Sequence, residues 1–237
     1  MNKNQLIQDF FKDFAPAQAI PRINEALAIF GQKLESPILD LGCGDGRFAK
    51  IVYGKRGIEV GLDPNPKEIE KARKTQAYKE LVISYGDKMP FSDQTFNSVL
   101  ANSVLEHVTC LDSVLKETNR VLKKDGLFVL TVPNPLVSQY QFWSKFIPGY
   151  ARFKEKLWRH INYFGEDQWR QRLEKAGFKI EKIEKTNSKK AIAWADIFFP
   201  LFPLGPIKWT RQFLEERQIF GLDSKGATLV IWCRRQK

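Results

Sequence analysis

Few residues in this chain could serve as covalent cross-links or metal ligands. Its 237 residues contain three cysteines and two histidines. The cysteines, Cys43, Cys110 and Cys233, are far apart and form no CxxC pair. This spacing argues against a disulfide framework and a zinc site, and it is typical of a protein in the reducing cytosol. We therefore expect a cytoplasmic protein with no metal site.

Long uninterrupted hydrophobic stretches are also absent. The longest apolar stretch, residues 191–207, contains Asp196 and three prolines, whereas a membrane-spanning helix needs roughly 20 apolar residues. Residues 1–14 lack a basic region followed by an apolar core, so we expect no signal peptide. No internal repeat is visible, which excludes a solenoid.

The composition is that of one large folded domain with an uneven charge distribution. A hydrophobic fraction of 43% excludes a disordered chain. Up to Pro133 there are 18 basic and 17 acidic residues, and after it 20 and 10, together with all six tryptophans. The basic, aromatic half indicates either a solvated lysine-rich surface over an aromatic core or contact with an anionic or amphiphilic partner.

Predicted strands and helices alternate along the chain. Short apolar runs predict strands at 37–41, 58–62, 81–85, 98–101, 127–132, 178–183 and 227–233. Helical spacing and start signals predict helices at 4–15, 22–34, 47–53 and 166–176, and two more that begin at Asn65 and Asp112. Apolar strands separated by helices are typical of a parallel sheet covered on both faces.

A glycine-rich turn, residues 42–46, lies between the first predicted strand and the helix that follows. Such a turn lets the backbone approach a nucleotide closely and directs helix N–H groups at it. Asp63 follows at the end of the second strand, about 20 positions later, where a carboxylate accepts hydrogen bonds from both hydroxyls of a ribose. The combination of strand, turn, helix and acid indicates a nucleotide-containing cofactor.

These residues resemble the class I S-adenosylmethionine-dependent methyltransferases. Residues 38–46, ILDLGCGDG, are similar to the first motif of that family, and residues 60–63, VGLD, to the second. Residues 86–91, GDKMPF, resemble the loop that contacts adenine, and residues 102–108, NSVLEHV, the exit of the fourth strand. The resemblance is specific over 38–133, extends to 183, and is nearest to the branch of quinone-biosynthetic and other small-molecule enzymes.

The resemblance implies a Rossmann-like, doubly wound α/β fold. We expect a seven-stranded sheet with helices on both faces and an antiparallel last strand. A single domain, residues 1–237, would comprise N-terminal helices (1–35), a cofactor-binding core (36–135) and insertions at 136–165 and 188–225 that cap the carboxyl edge of the sheet.

The resemblance also implies a binding site for S-adenosylmethionine. Asp40 would lie near the methionine amino group, Asp63 would hold the ribose, Asp87 the adenine amino group, and Met89 would pack on the adenine ring. The full set of expected cofactor-binding residues is Asp40, Gly42, Cys43, Gly44, Gly46, Asp63, Pro64, Gly86, Asp87, Lys88, Met89, Asn102 and Ser103.

The methyl acceptor is harder to predict. An oxygen nucleophile with a high pKa needs a base, and an imidazole, with a pKa near ~6.5, is the usual one. His107 leaves the fourth strand beside the expected methyl group, and His160 and Tyr163 are the other candidates; packing alone is the alternative for each. We expect methyl transfer, with oxygen favoured, to a small-molecule or lipid-like acceptor.

The two insertions suggest the character of that acceptor. The segment 188–225 carries seven aromatic residues, and 136–159 carries others among arginines and lysines. Connections this long usually have a function. They could form a lid over an apolar acceptor, contact an anionic membrane surface, or simply add core.

Three other interpretations remain open. An RNA methyltransferase would suit the basic second half, so a nucleic-acid partner is not excluded, and an inactive adaptor could retain the fold. A nicotinamide dehydrogenase would use the glycine turn together with Tyr150 and Lys154, but their segment lacks clear helical periodicity. No protein partner is indicated.

Overall fold

The computed structural model describes residues 2–55, 57–206 and 210–236. Two aromatic residues of the second insertion, Trp209 and the side chain of Phe202, lie outside the described part. The strands are β1 (Ile38–Leu41), β2 (Ile58–Asp63), β3 (Tyr78–Ile83), β4 (Phe96–Asn102), β5 (Leu122–Pro133), β6 (Phe178–Thr186) and β7 (Thr228–Arg235).

These strands form one seven-stranded sheet in the order β3-β2-β1-β4-β5-β7-β6, with the last strand antiparallel. β1 is parallel to both β2 and β4, with Leu39 opposite Val60 and Val99. The chain runs outward from β1 to β3 on one side and continues from β4 on the other, so β1 and β4 flank a reversal of strand order. Open α/β sheets bind ligands in the crevice at the carboxyl ends of strands at such a point. The predicted fold class is confirmed.

Helices separate most of the strands as expected, although β3 and β4 follow one another with no helix between them. The helices are α1 (Lys3–Asp13), α2 (Pro16–Ile29), α3 (Arg47–Tyr53), α4 (Pro66–Thr75), α5 (Leu111–Val121), α6 (Leu136–Tyr140), α7 (Tyr150–Trp158), α8 (Glu166–Lys175), α9 (Lys189–Ile197) and α10 (Thr210–Glu215). Asn65 caps α4 as predicted, because its side chain accepts a hydrogen bond from the Lys67 N–H. Among the described residues, no helix has both the length and the hydrophobicity needed to traverse a bilayer.

Several predicted boundaries were wrong. The second helix, expected at 22–34, runs from Pro16 to Ile29. Pro16 stands in its first turn, where a missing N–H costs nothing. The third strand, expected at 81–85, is Tyr78–Ile83. The segment around Tyr150, judged to lack helical periodicity, forms α7; its pattern is hidden because the residue it buries is a lysine, Lys154.

The chain divides into two compact units. The first comprises Met1–Phe30, Pro133–His160 and Glu184–Val230, and the second comprises Gly31–Val132, Ile161–Ile183 and Ile231–Lys237. The first unit thus unites the N-terminal helices with most of both insertions. The second contains the glycine turn, Asp63 and strands β1 to β4. That the chain behaves as one domain stays a prediction.

Aromatic residues of the second insertion pack within the first unit. The rings of Trp194 and Phe213 meet edge to face with centroids 5.0 Å apart. Phe198 is buried beside Trp194, and Phe220 contacts Phe11 of α1. This matches the interpretation in which these aromatic residues add core.

Candidate active site

A cavity of about 370 Å³ lies in the second unit, among the loops that follow the carboxyl ends of β1, β2 and β4. Seven of the predicted site residues line it: Gly42, Asp63, Pro64, Gly86, Asp87, Ser103 and His107. Residues from five separate stretches of chain therefore meet where the reversal of strand order predicts a ligand.

The glycine turn needs its glycines for two different reasons. Gly42 has φ +72°, and a Cβ there would lie 2.6 Å from both methyl groups of Val104. Gly44 has φ +53°, but a Cβ there would meet nothing within 4 Å. The first glycine permits close packing, whereas the second leaves open space beside the backbone, as a cofactor that approaches the turn requires.

Asp63 is fixed by the backbone at both carboxylate oxygens. The Gly44 N–H donates to Oδ2 at 3.0 Å, and the Asn65 N–H donates to Oδ1 at 2.9 Å. Partial burial raises the pKa of Asp63, and these two N–H groups oppose that rise. Each oxygen keeps lone-pair capacity, so the oriented carboxylate can accept the two hydroxyls of a ribose.

Asp40 is buried in the middle of the sheet. Its Oδ2 accepts a hydrogen bond from the Tyr78 hydroxyl at 2.7 Å. Burial raises the pKa of Asp40 to about 7, the Tyr78 hydrogen bond lowers it, and the charge of Asp63 adds to the rise. A cation placed nearby would favour the ionised form, which is compatible with the predicted place of the methionine amino group.

The other predicted cofactor residues lie around the same loops. Gly46 precedes α3 at φ +74°. The Cys43 thiol is buried, which raises its pKa. Asn102 accepts a hydrogen bond from the Thr131 hydroxyl. Lys88 is exposed, whereas Met89 is buried with its N–H bonded to Glu117. Their contacts with the cofactor stay predictions.

His107 ends a single helical turn, Leu105–His107, and its side chain lines the cavity. Its Nε2 lies 3.8 Å from Oε1 of Glu106, a buried carboxylate, while 41% of the His107 side chain is exposed. An exposed imidazole beside a cavity and a carboxylate suits a general base, and this role for His107 stays a prediction.

Asn162 holds this turn in place, and sequence reasoning missed it. Its Nδ2 donates to the carbonyls of Leu105 at 2.8 Å and Val108 at 2.6 Å. The N–H groups of Ile161 and Asn162 both donate to the Glu106 carbonyl, at 2.7 and 3.0 Å. No local motif marks Asn162, because its partners lie more than 50 positions earlier in the chain.

The remaining catalytic candidates, His160 and Tyr163, lie just before and just after Ile161 and Asn162 in the sequence. Tyr163 follows Asn162 in the second unit and is partly buried. His160 belongs to the first unit, where its N–H donates to the Glu155 carbonyl at 3.4 Å. Catalytic roles for both residues stay predictions.

Comparison with known proteins agrees with this site. A family model described as a methyltransferase domain matches residues 11–183. The chain is 33% identical over 172 residues to a demethylmenaquinone methyltransferase of Lactobacillus johnsonii, covering 63% of this chain and 70% of that protein. It is 39% identical over 104 residues to a malonyl-[acyl-carrier protein] O-methyltransferase of Legionella pneumophila, covering 41% of this chain and 36% of that protein.

A solved structure shares the fold. The SAM-dependent methyltransferase structure from Thermotoga maritima superposes with a TM-score of 0.67 at 21% identity, covering 93% of this chain and 91% of that one. The chain spans about a third of the Legionella relative's length. On the family match, this chain belongs to the class I S-adenosylmethionine-dependent methyltransferases, a family that uses S-adenosylmethionine as its methyl donor.

Proposed function

We propose that this enzyme methylates an oxygen atom of an amphiphilic small molecule, a hydroxyl or carboxyl group attached to an apolar body. The observation that carries the proposal is that one cavity joins the cofactor residues Asp63 and Asp87 to the imidazole of His107. When bound, the cofactor supplies a methyl group already activated for transfer. The protein then has to orient the acceptor and remove its proton.

The cavity is lined both by apolar side chains, which the acceptor's apolar body needs, and by an ionisable side chain, which can take up the acceptor's proton. Val104, Val108 and Val114 contribute apolar surface, and His107 contributes an ionisable group. A proton taken up by His107 from an acceptor hydroxyl creates an imidazolium, and the Glu106 carboxylate 3.8 Å away stabilises that charge. Asn162 positions both residues through the turn that carries them.

Methylation at oxygen is further supported by the Legionella relative, which is named as an O-methyltransferase. An apolar acceptor body is supported by the three valine side chains that line the cavity.

The test is turnover with a panel of hydroxylated quinols, fatty acids and glycolipids, with the methylated atom located by NMR. We expect a methyl ether or ester as product. His107→Ala should lower kcat by about 10²–10⁴-fold and change the dissociation constant for S-adenosylmethionine only a few-fold. Lys116→Ala, an exposed change on α5 outside the residues that line the cavity, is the control and should retain turnover.

A methyl group found on nitrogen or carbon would contradict methylation at oxygen. Full turnover by His107→Ala would show that His107 is not the general base. RNA methylation makes a different prediction, because contacts with several phosphates make affinity fall steeply as salt rises.

A further inference from the structure

Helix α7 and the residues before it turn large apolar side chains outward. Among the described residues, ten large hydrophobic side chains are exposed, and half of them lie between positions 146 and 158: Phe146, Ile147, Phe153, Leu157 and Trp158. Phe146 is 65% exposed and Phe153 56%. Exposed apolar side chains concentrated in so short a segment indicate a surface that meets another apolar phase.

The same helix turns a charged side chain inward. Lys154 is only 5% exposed, although Phe153 next to it and Leu157 one turn later are exposed. A helix that faces water has the opposite arrangement, with apolar residues inside and lysines outside. A buried lysine beside exposed apolar residues therefore indicates that the outer face of α7 contacts something besides water.

Asp196 of α9 keeps α7 in this orientation. Its Oδ1 lies 3.4 Å from Lys154 Nζ and accepts a hydrogen bond from the Tyr150 hydroxyl at 2.6 Å. Its Oδ2 accepts the Trp143 N–H at 3.0 Å. Lys154 Nζ also lies 3.2 Å above the centroid of the Phe199 ring. The buried lysine is paired and enclosed, so the outward direction of Phe153 and Leu157 is held by the fold.

Exposed basic side chains alternate in sequence with the exposed apolar ones. Lys145, Arg152, Lys156 and Arg159 are exposed. The only acidic residue between positions 145 and 159 is Glu155, whose carboxylate accepts a hydrogen bond from the Ser138 hydroxyl. Apolar side chains that enter the headgroup region, flanked by lysines and arginines at the phosphates, are the pattern of an interfacial helix on anionic lipid.

We propose that residues 145–159, here called the amphiphilic surface, dock on a membrane that contains anionic lipid. Phe146, Ile147, Phe153 and Leu157 enter the interface, and the basic side chains contact lipid phosphates. Aliphatic Ile147 and Leu157 favour hydrocarbon over a nucleic acid, because they cannot stack on bases. Docking would bring the enzyme to a bilayer in which an amphiphilic acceptor resides, but it does not depend on which acceptor is methylated.

The test is co-sedimentation of the full-length protein with vesicles of phosphatidylcholine, alone or mixed with phosphatidylserine, without cofactor or acceptor. Because no turnover is measured, its failure is distinguishable from failure of the proposed function. We expect binding to the mixed vesicles that weakens as salt rises. Arg152→Gln with Lys156→Gln should lower the partition coefficient by roughly thirty-fold, at about five-fold for each charge.

The apolar and control variants distinguish docking through the amphiphilic surface from nonspecific adsorption of the protein to vesicles. Phe153→Ser with Leu157→Ser should lower vesicle binding at least about tenfold. Matched controls at exposed positions outside residues 145–159 should bind as the parent does: Lys67→Gln with Lys74→Gln for charge, and Ile83→Ser with Leu222→Ser for exposed apolar area.

Three results would overturn the proposal. One is the absence of binding to mixed vesicles. Another is an equal loss of binding in the control and surface variants. The third is binding of RNA that requires Arg152 and Lys156 while vesicles are ignored, which would assign the amphiphilic surface to nucleic acid.

Discussion

The cofactor cavity of the second unit and the amphiphilic surface of the first are built in opposite ways. Around the cavity, backbone N–H groups fix the carboxylate of Asp63, and the neighbouring turn has glycine at alternate positions, 42, 44 and 46. At the amphiphilic surface, orientation comes from the buried carboxylate of Asp196, which pairs with Lys154, 42 positions earlier, and also accepts hydrogen bonds from Tyr150 and Trp143. Local backbone geometry defines the first region, whereas a long-range side-chain cluster defines the second.

The largest effect on the free energy of unfolding is expected at the buried Lys154–Asp196 ion pair. Asp196→Ala leaves the buried ammonium of Lys154 without its carboxylate, which should cost about 3–5 kcal/mol of unfolding free energy. Adding Lys154→Met should recover a large part of the loss, because the unpaired charge is then removed. Urea denaturation of the single and double variants measures both changes.

Glu70→Ala is the control for this experiment, since it removes an exposed ion pair with Arg73 and should cost at most about 1 kcal/mol. If Asp196→Ala is no more destabilising than Glu70→Ala, the amphiphilic surface is not held by the buried pair.

The glycine turn should respond differently at its two key positions. Gly42→Ala combines a left-handed φ with a Cβ 2.6 Å from Val104, so we expect a loss of about 2–4 kcal/mol in stability. Gly44→Ala has the strain without the clash and should cost about 1 kcal/mol. Its methyl group should nevertheless weaken cofactor binding, because it enters the open space. Equal stability losses at the two positions would contradict this division of roles.

Asp63→Ala tests the cavity without disturbing the core. Loss of hydrogen bonds to a charged group, worth roughly 1.5–3 kcal/mol, should weaken S-adenosylmethionine binding by about 10–100-fold. Asp93→Ala, which removes an exposed carboxylate paired with Arg120, should leave binding within about two-fold. An unchanged dissociation constant for Asp63→Ala would remove the ribose assignment.

The smallest expected effect is the release of part of a proton when the cofactor binds. The folded pKa of Asp40 is about 7, against an ordinary value of 3.8. Protonated Asp40 therefore stabilises the cofactor-free fold below about pH 4, and this contribution is lost as the pH rises to about 7. If the cofactor amino group lies near Asp40, binding at pH 7 should release about half a proton. Calorimetry in two buffers of different ionisation enthalpy measures this release, and equal heats in both buffers would contradict it.

The same contrast explains what sequence reasoning could and could not predict. The succession of strands, the cap at Asn65 and the place of Asp63 were predictable, because each depends on residues close together in the chain. The hydrogen bonds from Tyr78 to Asp40 and from Asn162 to Leu105 were not predictable. Both join residues far apart in the chain, so they follow only from the strand order and the packing of the folded protein. Helix α7 was missed because periodicity assumes that apolar residues face inward, and here Lys154 does instead.

The central claim is that the second-unit cavity binds S-adenosylmethionine, and calorimetric titration of the purified protein tests it most directly. We expect binding with a dissociation constant on the order of micromolar, which corresponds to about −8 kcal/mol, and no binding of NADH. Binding of NADH alone, or of neither ligand, would contradict the account.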